Sequence, residues 1–200
     1  MLMRVIFGAV VVIVGLLAYQ QFSHKATVDN LYETSPDFIL GQQNAQYTII
    51  EFFDYNSKWS RRSHPVLLQM ISRYPDTRII LKEKPGITSD SEMISRIALA
   101  ARTKGRYMEM HTALMSMEGE IDETRLRSIV AQMGMDFEEL KQIGQGPEVS
   151  RILQENEQAA FFLGIQSAPS FVVEGEVMSG GGYTVDDFRA VIRQIERGVR

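Results

Sequence analysis

Cysteine is absent from the 200 residues of this sequence. Without it the chain can form no disulfide bond, offer no thiolate ligand to a metal and perform no thiol chemistry. Histidine is scarce as well, and His24, His64 and His111 lack the spacing of metal ligands, so we expect no metal site. The glycine run Gly180–Gly182 lacks the lysine and the strand-to-helix setting of a phosphate-binding loop, and we expect no cofactor.

A strong excess of either charge is also missing. The chain has 21 Lys and Arg against 25 Asp and Glu, a formal net charge of -4. This balance argues against a nucleic-acid partner, because nucleic acid is bound by a concentrated basic surface. The hydrophobic fraction of 44% is that of an ordinary globular chain. A chain of this length buries a sizeable core without disulfide bonds, and we expect one domain or one domain with an insertion.

The longest apolar run lies near the N-terminus, from Val5 to Tyr19, and Arg4 precedes it. As a helix these residues span about 22 Å, and counting from residue 1 brings the span close to the roughly 30 Å hydrocarbon thickness of a bilayer. The exit at residues 18–22 offers no good small-residue cleavage site. We therefore favour an uncleaved signal anchor over residues 1–21, with a cleaved signal peptide or a buried core helix as alternatives.

Such an anchor would place the rest of the chain on the periplasmic side of the inner membrane, because Arg4 keeps the N-terminus in the cytoplasm. Cleavage of the segment would release a secreted protein instead. Residues 22–36 are polar with scattered apolar positions, and we interpret them as a linker.

Patterns in the remaining chain predict an α/β fold. The β-branched and aromatic residues at 47–55 predict a strand buried on both faces, and a helix over 60–74 leads to a second strand at 77–82. From residue 89 to about 164 the pattern is almost entirely helical, and a β-hairpin and a last helix follow after residue 170. The most economical arrangement is a sheet with helices on both faces and a helical insertion.

Capping residues predict where several helices begin. Asn56 or Ser57 is suited to cap the helix that follows the first strand. Asp122, Asp136 and Thr184 open later helices, the last with an acidic residue at the third helical position.

Three motifs in this order resemble those of the DsbA-like thiol–disulfide oxidoreductases. They are FFDYN at 52–56, the Ser-Lys-Trp-Ser tetrapeptide at 57–60 with the basic pair and proline that follow it, and LGIQSAPSFV at 163–172. The resemblance covers about residues 30–200 and implies a thioredoxin-like fold with an all-helical insertion domain. It divides the chain after the linker into a first thioredoxin-like segment at 37–88, the insertion at 89–163 and a second thioredoxin-like segment at 164–200.

The family carries a Cys-x-x-Cys motif where this chain has Ser57 and Ser60. In the family the first thiol lies at a helix N-terminus, where unsatisfied N–H groups stabilise its thiolate for exchange with a substrate disulfide. A serine hydroxyl has no redox couple, so we expect the chain as written to be redox-inactive. A nucleophilic role for Ser57 is disfavoured too, because His64 is two helical turns away, roughly 10 Å along the axis.

Two explanations of the serines remain open. The pair is either an engineered Cys-to-Ser double variant or the mark of a natural family member that lost its thiols and kept its peptide groove. We favour the first, because the motif around both positions is otherwise intact and both positions carry the same near-isosteric replacement.

The resemblance assigns two further residues to the active site. Glu51 corresponds to a buried acidic residue that tunes proton transfer, and Lys82 is a candidate partner for its charge. The alternative for Glu51 is a carboxylate at the strand end that faces solvent. Burial would raise the pKa of this carboxyl group. Pro169 corresponds to the family's cis-proline.

Four more residues are candidates for substrate binding. Ser167 and Ala168 precede the predicted cis-proline, whose loop leaves backbone groups free to pair with an extended peptide. Lys58 and Trp59 lie between the two serines, and we expect both to be exposed at the helix end.

Two functions from different classes are compatible with these features. One is a disulfide oxidoreductase of the bacterial envelope, tethered to the inner membrane, which would work with a redox-partner membrane protein once its cysteines are restored. The other is a naturally cysteine-free module that holds a polypeptide or a partner protein in the cis-proline groove. Restoring cysteine at positions 57 and 60 would discriminate between them.

Overall fold

A five-stranded mixed sheet is the centre of the fold in the computed structural model, which describes residues 31–198. The strands are β1 (Ile39–Leu40), β2 (Tyr47–Phe53), β3 (Thr77–Glu83), β4 (Ser170–Val173) and β5 (Glu176–Ser179). Their order across the sheet is β1-β3-β2-β4-β5, with β2 and β3 parallel and the other neighbours antiparallel. The chain divides into two units after Glu33, and the sheet lies in the second.

Helices connect the strands and cover the sheet. Helix α1 (Lys58–Arg73) is the crossover between the parallel strands β2 and β3. The helices between β3 and β4 are α2 (Ser91–Ala100), α3 (Tyr107–Met115), α4 (Glu123–Gln132), α5 (Phe137–Gly144) and α6 (Pro147–Phe162), and α7 (Val185–Glu196) follows β5. Two short 3-10 turns lie at Pro36–Phe38 and Ala101–Lys104. The predicted α/β class is confirmed.

Side-chain caps begin several helices where the sequence predicts them. Asp122 and Asp136 each accept a hydrogen bond from the third backbone N–H of the helix that they begin. Thr184 and Asp187 form a reciprocal capping box at the start of α7. Each such cap contributes about 0.5–2 kcal/mol to stability, so these polar residues fix helix boundaries independently of the core.

The central strand β2 is buried on both faces, as its apolar run predicts. Its residues alternate between the faces. Ile49 and Phe53 belong to the main hydrophobic core together with Leu67 and Met70 of α1. Glu51 is two residues from both Ile49 and Phe53, so its side chain lies on the same face of the sheet as theirs. This is the face that α1 covers.

Two details of the strands differ from the prediction. The short strand β1 was not predicted, because two residues carry no periodicity. Strand β2 ends at Phe53 rather than at residue 55, because the chain turns at Asp54. There the Asn56 N–H donates to Asp54 Oδ1 at 2.7 Å and the Ser57 N–H donates to the Asp54 carbonyl at 3.0 Å.

The predicted signal anchor over residues 1–21 and most of the predicted linker lie outside the described residues. Within residues 31–198, no helix combines the length and the apolar character needed to cross a bilayer.

Candidate functional site

Ser57 begins helix α1 as its N-cap residue. Its hydroxyl accepts a hydrogen bond from the Ser60 N–H at 3.2 Å and donates one to the Ala168 carbonyl at 3.1 Å. The Ser60 hydroxyl accepts from the Asp54 N–H at 3.3 Å. Both serine side chains are buried. The two positions where the resemblance expects thiols are therefore one helical turn apart, and their hydroxyls are held by hydrogen bonds.

The loop before β4 supplies the other side of the site. The Ala168–Pro169 peptide bond is cis, as predicted. The Pro169 carbonyl accepts from the Gly180 N–H at 3.0 Å, and the Ser170 hydroxyl donates to the Ser167 carbonyl at 2.8 Å. Ser167 is exposed and Ala168 is half-buried. The fold thus brings Ser57 against a loop that lies far from it in sequence.

Asp54 is a buried anchor that the sequence analysis did not identify. Its Oδ1 accepts from the Asn56 N–H at 2.7 Å and from the Ser91 hydroxyl at 2.9 Å. Its Oδ2 accepts from the N–H groups of Gly86 and Ile87 at 2.8 and 2.9 Å. The carboxylate therefore joins the α1 N-terminus to the chain that leaves β3. An Asp at a strand end with Asn two residues later is typical of a side-chain-stabilised turn, and this was the available signal.

Asn56 joins the same turn to the helical part of the chain. Its side-chain amide donates to the Ile121 carbonyl at 3.0 Å and to the Thr88 hydroxyl at 2.8 Å. Its Oδ1 accepts from the Ile121 N–H at 2.8 Å. The segment between α3 and α4 is consequently fixed beside the start of α1.

Glu51 is buried, and neither carboxyl oxygen has a hydrogen-bond partner within residues 31–198. Burial raises the pKa of Glu51 to about 8. The prediction that Lys82 pairs with it is wrong, because Glu51 lies opposite Leu81 in the parallel register and Lys82 faces the other side of the sheet. Burial lowers the pKa of Lys82, and the nearby charges of Glu83 and Glu155 oppose this effect in part. At neutral pH Glu51 is therefore a protonated acid beneath α1.

A second buried polar cluster lies next to this face. The Tyr107 hydroxyl donates to Glu83 Oε1 at 2.5 Å, and the Tyr55 hydroxyl lies 3.1 Å from His111 Nδ1. The ring centroids of His111 and His64 are 5.0 Å apart. Burial raises the pKa of Glu83 to about 7 and lowers the pKa of each histidine. His64 thus packs into the interior, and within the described residues neither of its ring nitrogens has a hydrogen-bond partner, so it is not a base for Ser57.

Trp59 and Lys58 are exposed at the helix end, as predicted. Trp59 is 48% exposed, and its inner side packs on the loop after β5. A Cβ added to Gly181 would lie only 2.7 Å from the Trp59 Cβ, so this contact requires glycine. The Arg62 guanidinium lies 5.2 Å from the centre of the indole ring. Within the described residues, no group of three or more His, Asp or Glu side chains is arranged to hold a metal ion.

A sheet of this topology with a helix N-terminus facing a cis-proline defines a thioredoxin-like protein. The family model of the DSBA-like thioredoxin domain matches residues 83–193, more than half of the chain. The chain therefore belongs to the DSBA-like thioredoxin domain family, and it has no cysteine at the position of the family's motif.

Solved structures agree with this assignment. A thioredoxin-like oxidoreductase from Silicibacter pomeroyi DSS-3 is similar to the chain with a TM-score of 0.78 and 31% identity, over 84% of this chain and 97% of that one. A periplasmic thioredoxin-like protein from Salmonella enterica serovar Typhimurium is similar with a TM-score of 0.69 and 20% identity, over 84% of this chain and 94% of that one. At this lower identity the similarity shows the shared fold alone.

The chain is also similar in sequence to part of a membrane transporter. The Na(+)/H(+) antiporter NhaA 1 of Salinispora arenicola (strain CNS-205) is 19% identical over 180 residues, which cover 88% of this chain. The chain spans 28% of the length of that relative. The similarity thus concerns one part of a larger protein.

Proposed function

We propose that this protein binds extended polypeptide segments in the groove between the N-terminus of α1 and the Pro169 loop, without thiol exchange in the chain as written. One observation carries the proposal, the 3.1 Å hydrogen bond from the Ser57 hydroxyl to the Ala168 carbonyl. This bond sets the helix end directly against the cis-proline loop. The segment bound belongs to a polypeptide substrate or to a partner protein.

Backbone pairing supports this proposal. Within residues 31–198 the N–H of Ala168 has no hydrogen-bond partner, and the residue is half-buried beside the exposed Ser167. An extended peptide can accept from such a group along its own backbone, and side chains on either side then set its specificity. Trp59 and Lys58 are exposed at the edge of the groove, where they can contact the side chains of the bound peptide.

The hydroxyls at positions 57 and 60 support a binding role over a catalytic one. Ser57 both donates and accepts a hydrogen bond, and Ser60 accepts one. A thiol is a weaker donor and acceptor in these places. The serines are therefore well accommodated, as they would be in a natural cysteine-free module and in an engineered variant alike.

A second candidate function is thiol–disulfide exchange after cysteine is placed at both positions. It is favoured by the first turn of α1, which contains no acidic residue but has Lys58 and Arg61 beside the N-cap. Positive charge and free N–H groups at a helix N-terminus lower the pKa of a thiol and stabilise its thiolate. We propose the bacterial envelope as the location of either function, on the basis of the apolar run at Val5–Tyr19 and the similarity to a periplasmic protein.

The binding proposal is tested with a fluorescein-labelled, cysteine-free, unstructured peptide of about ten residues, followed by fluorescence anisotropy. We expect Ala168→Leu to weaken binding by about tenfold, because the larger side chain fills the groove. Ala131→Leu on the exposed side of α4 is the matched control and should change nothing. If both variants unfold at the temperature of the unmodified protein and bind the peptide with equal affinity, the groove is not the binding site.

The exchange candidate is tested with the double variant Ser57→Cys and Ser60→Cys. We expect it to reach a measurable thiol–disulfide equilibrium with glutathione and to oxidise a reduced dithiol peptide. Each single variant is the control, since one thiol cannot close the intramolecular disulfide. A double variant that folds and shows neither property would leave only the binding function.

A further inference from the structure

A groove of about 520 Å³ opens beside the proposed peptide site, between the first two turns of α1 and the segment that joins α3 to α4. It is lined by Lys58, Arg61, Arg62, Met115, Met117, Glu118 and Gly119. Lys58 follows Ser57 directly in the chain, so the groove begins one residue from the proposed peptide site. The Asn56 bonds to Ile121 hold the two walls in place.

One wall of the groove is cationic. Lys58 and Arg62 are exposed, and Arg61 is half-buried with its Nη1 donating to the Tyr55 carbonyl at 3.1 Å. Within residues 31–198 none of these three side chains forms an ion pair with a carboxylate. The positive charge of this wall is therefore available to a ligand.

Neighbouring charges leave that positive character in place. Arg125 lies close enough for its charge to act on Arg61, and its own Nη1 donates to the Glu120 carbonyl. Asp54 acts on Arg61 with the opposite sign, but it is buried and is not part of the groove lining. Glu118 is the one acidic side chain in the lining of the groove. Three cations against one carboxylate leave the groove positive.

The opposite wall is apolar. Met115 is buried and Met117 is half-buried, and both side chains reach the groove. Methionine is unbranched and polarizable, so it adapts to different apolar side chains. A ligand that fills the whole groove must therefore combine a negative charge with an apolar group.

We infer that this groove binds the flank of the polypeptide held at the Pro169 loop, and that it selects segments in which a carboxylate side chain adjoins an apolar one. The inference rests on the proposed function and adds the chemical class of the segment. The carboxylate pairs with Lys58 and Arg62, and the apolar side chain packs on Met115 and Met117. A nucleic acid fits the lining less well, because Glu118 repels a continuous row of phosphates and the methionines would stay uncovered.

The test uses the full chain in detergent and three fluorescein-labelled peptides of about ten residues that differ only at two positions flanking one methionine. Those positions are Glu in the first peptide, Gln in the second and Lys in the third. Fluorescence anisotropy is measured at about 50 mM and about 500 mM salt, since salt screens exposed ion pairs. We expect the Glu peptide to bind about threefold to tenfold more tightly than the Gln peptide at low salt, with the difference reduced at high salt.

The matched variants lie on one helix. Lys58→Glu combined with Arg62→Glu should abolish or invert the preference for the Glu peptide. Arg73→Glu, at the other end of α1, should preserve it. Retention of the preference in the double variant would overturn the assignment to this groove.

Failure of the inference differs from failure of the proposed function. Equal binding of the three peptides by the unmodified protein overturns the inference and leaves polypeptide binding standing. Absence of binding for every peptide overturns both. Tighter binding of a single-stranded oligonucleotide than of the Glu peptide assigns the groove to nucleic acid and also overturns the inference.

Discussion

His64 and His111 pack their imidazole rings edge to face in the protein interior, with ring centroids 5.0 Å apart and an interplanar angle of 70°. The first belongs to α1 and the second to α3. Burial lowers the pKa of both groups, and for His111 the charge of His64 lowers it further. Both rings are consequently neutral in the native state at pH 7.

Acid should therefore destabilise the protein through this pair. An unfolded histidine has a pKa of about 6.5 and binds a proton more readily than the buried ring, so stability is full above this value and is lost as pH falls below it. We expect His64→Leu to reduce the loss of unfolding free energy between about pH 6.5 and about pH 5 by about 1 kcal/mol. Urea unfolding at a series of pH values measures it. The same slope in variant and unmodified protein would show that His64 is not the group responsible.

Glu51 should have the opposite effect, stabilising the protein towards acid over an overlapping pH range. Burial raises its native pKa to about 8, while an unfolded glutamate titrates near 4.3. Its contribution is full below the unfolded pKa and is lost as pH rises through the native one, so stability should decline between about pH 5 and about pH 8. Glu51→Gln should flatten this decline by about 1–3 kcal/mol. Glu176→Gln on the exposed strand β5 is the control and should leave the pH profile unchanged.

Asp54→Asn should be among the most destabilising conservative changes in the chain. The substitution places an amide N–H₂ group against backbone N–H groups, where a carboxylate oxygen now accepts from Gly86 and Ile87. We expect a loss of about 2–4 kcal/mol of unfolding free energy. Asp90→Asn is the matched control, because Asp90 makes no side-chain cap bond, and it should cost less than about 0.5 kcal/mol. A loss as small as that of the control would contradict the anchoring role of Asp54.

Gly181→Ala should displace the indole of Trp59. The new methyl group would lie 2.7 Å from the Trp59 Cβ, which is closer than atoms in contact tolerate. Because Trp59 is the single tryptophan of the chain, its fluorescence spectrum reports the change directly. We expect a shifted emission maximum and about 1–3 kcal/mol of destabilisation. Gly86→Ala, which meets nothing within 4 Å, should alter neither quantity.

The sequence predicted much of the candidate site because the signals were local. Capping chemistry narrowed the start of α1 to Asn56 or Ser57, of which Ser57 is the N-cap, and motif order paired the tetrapeptide at 57–60 with Pro169. The partner of Glu51 was predicted wrongly for a physical reason. Strand register decides which residue of β3 lies beside Glu51. That residue is Leu81, and Lys82, the next residue along the strand, faces the other side of the sheet.

The sequence by itself determined the α/β class, the family resemblance and the absence of thiols at positions 57 and 60, because composition, periodicity and motif order are properties of neighbouring residues. Only the tertiary structure decided which polar groups meet. Three of the four bonds to Asp54, the packing of His64 on His111 and the groove beside Lys58 each join segments far apart in the chain. Their energies come from burial and from hydrogen bonds across the fold, and no local pattern in the sequence encodes the partner.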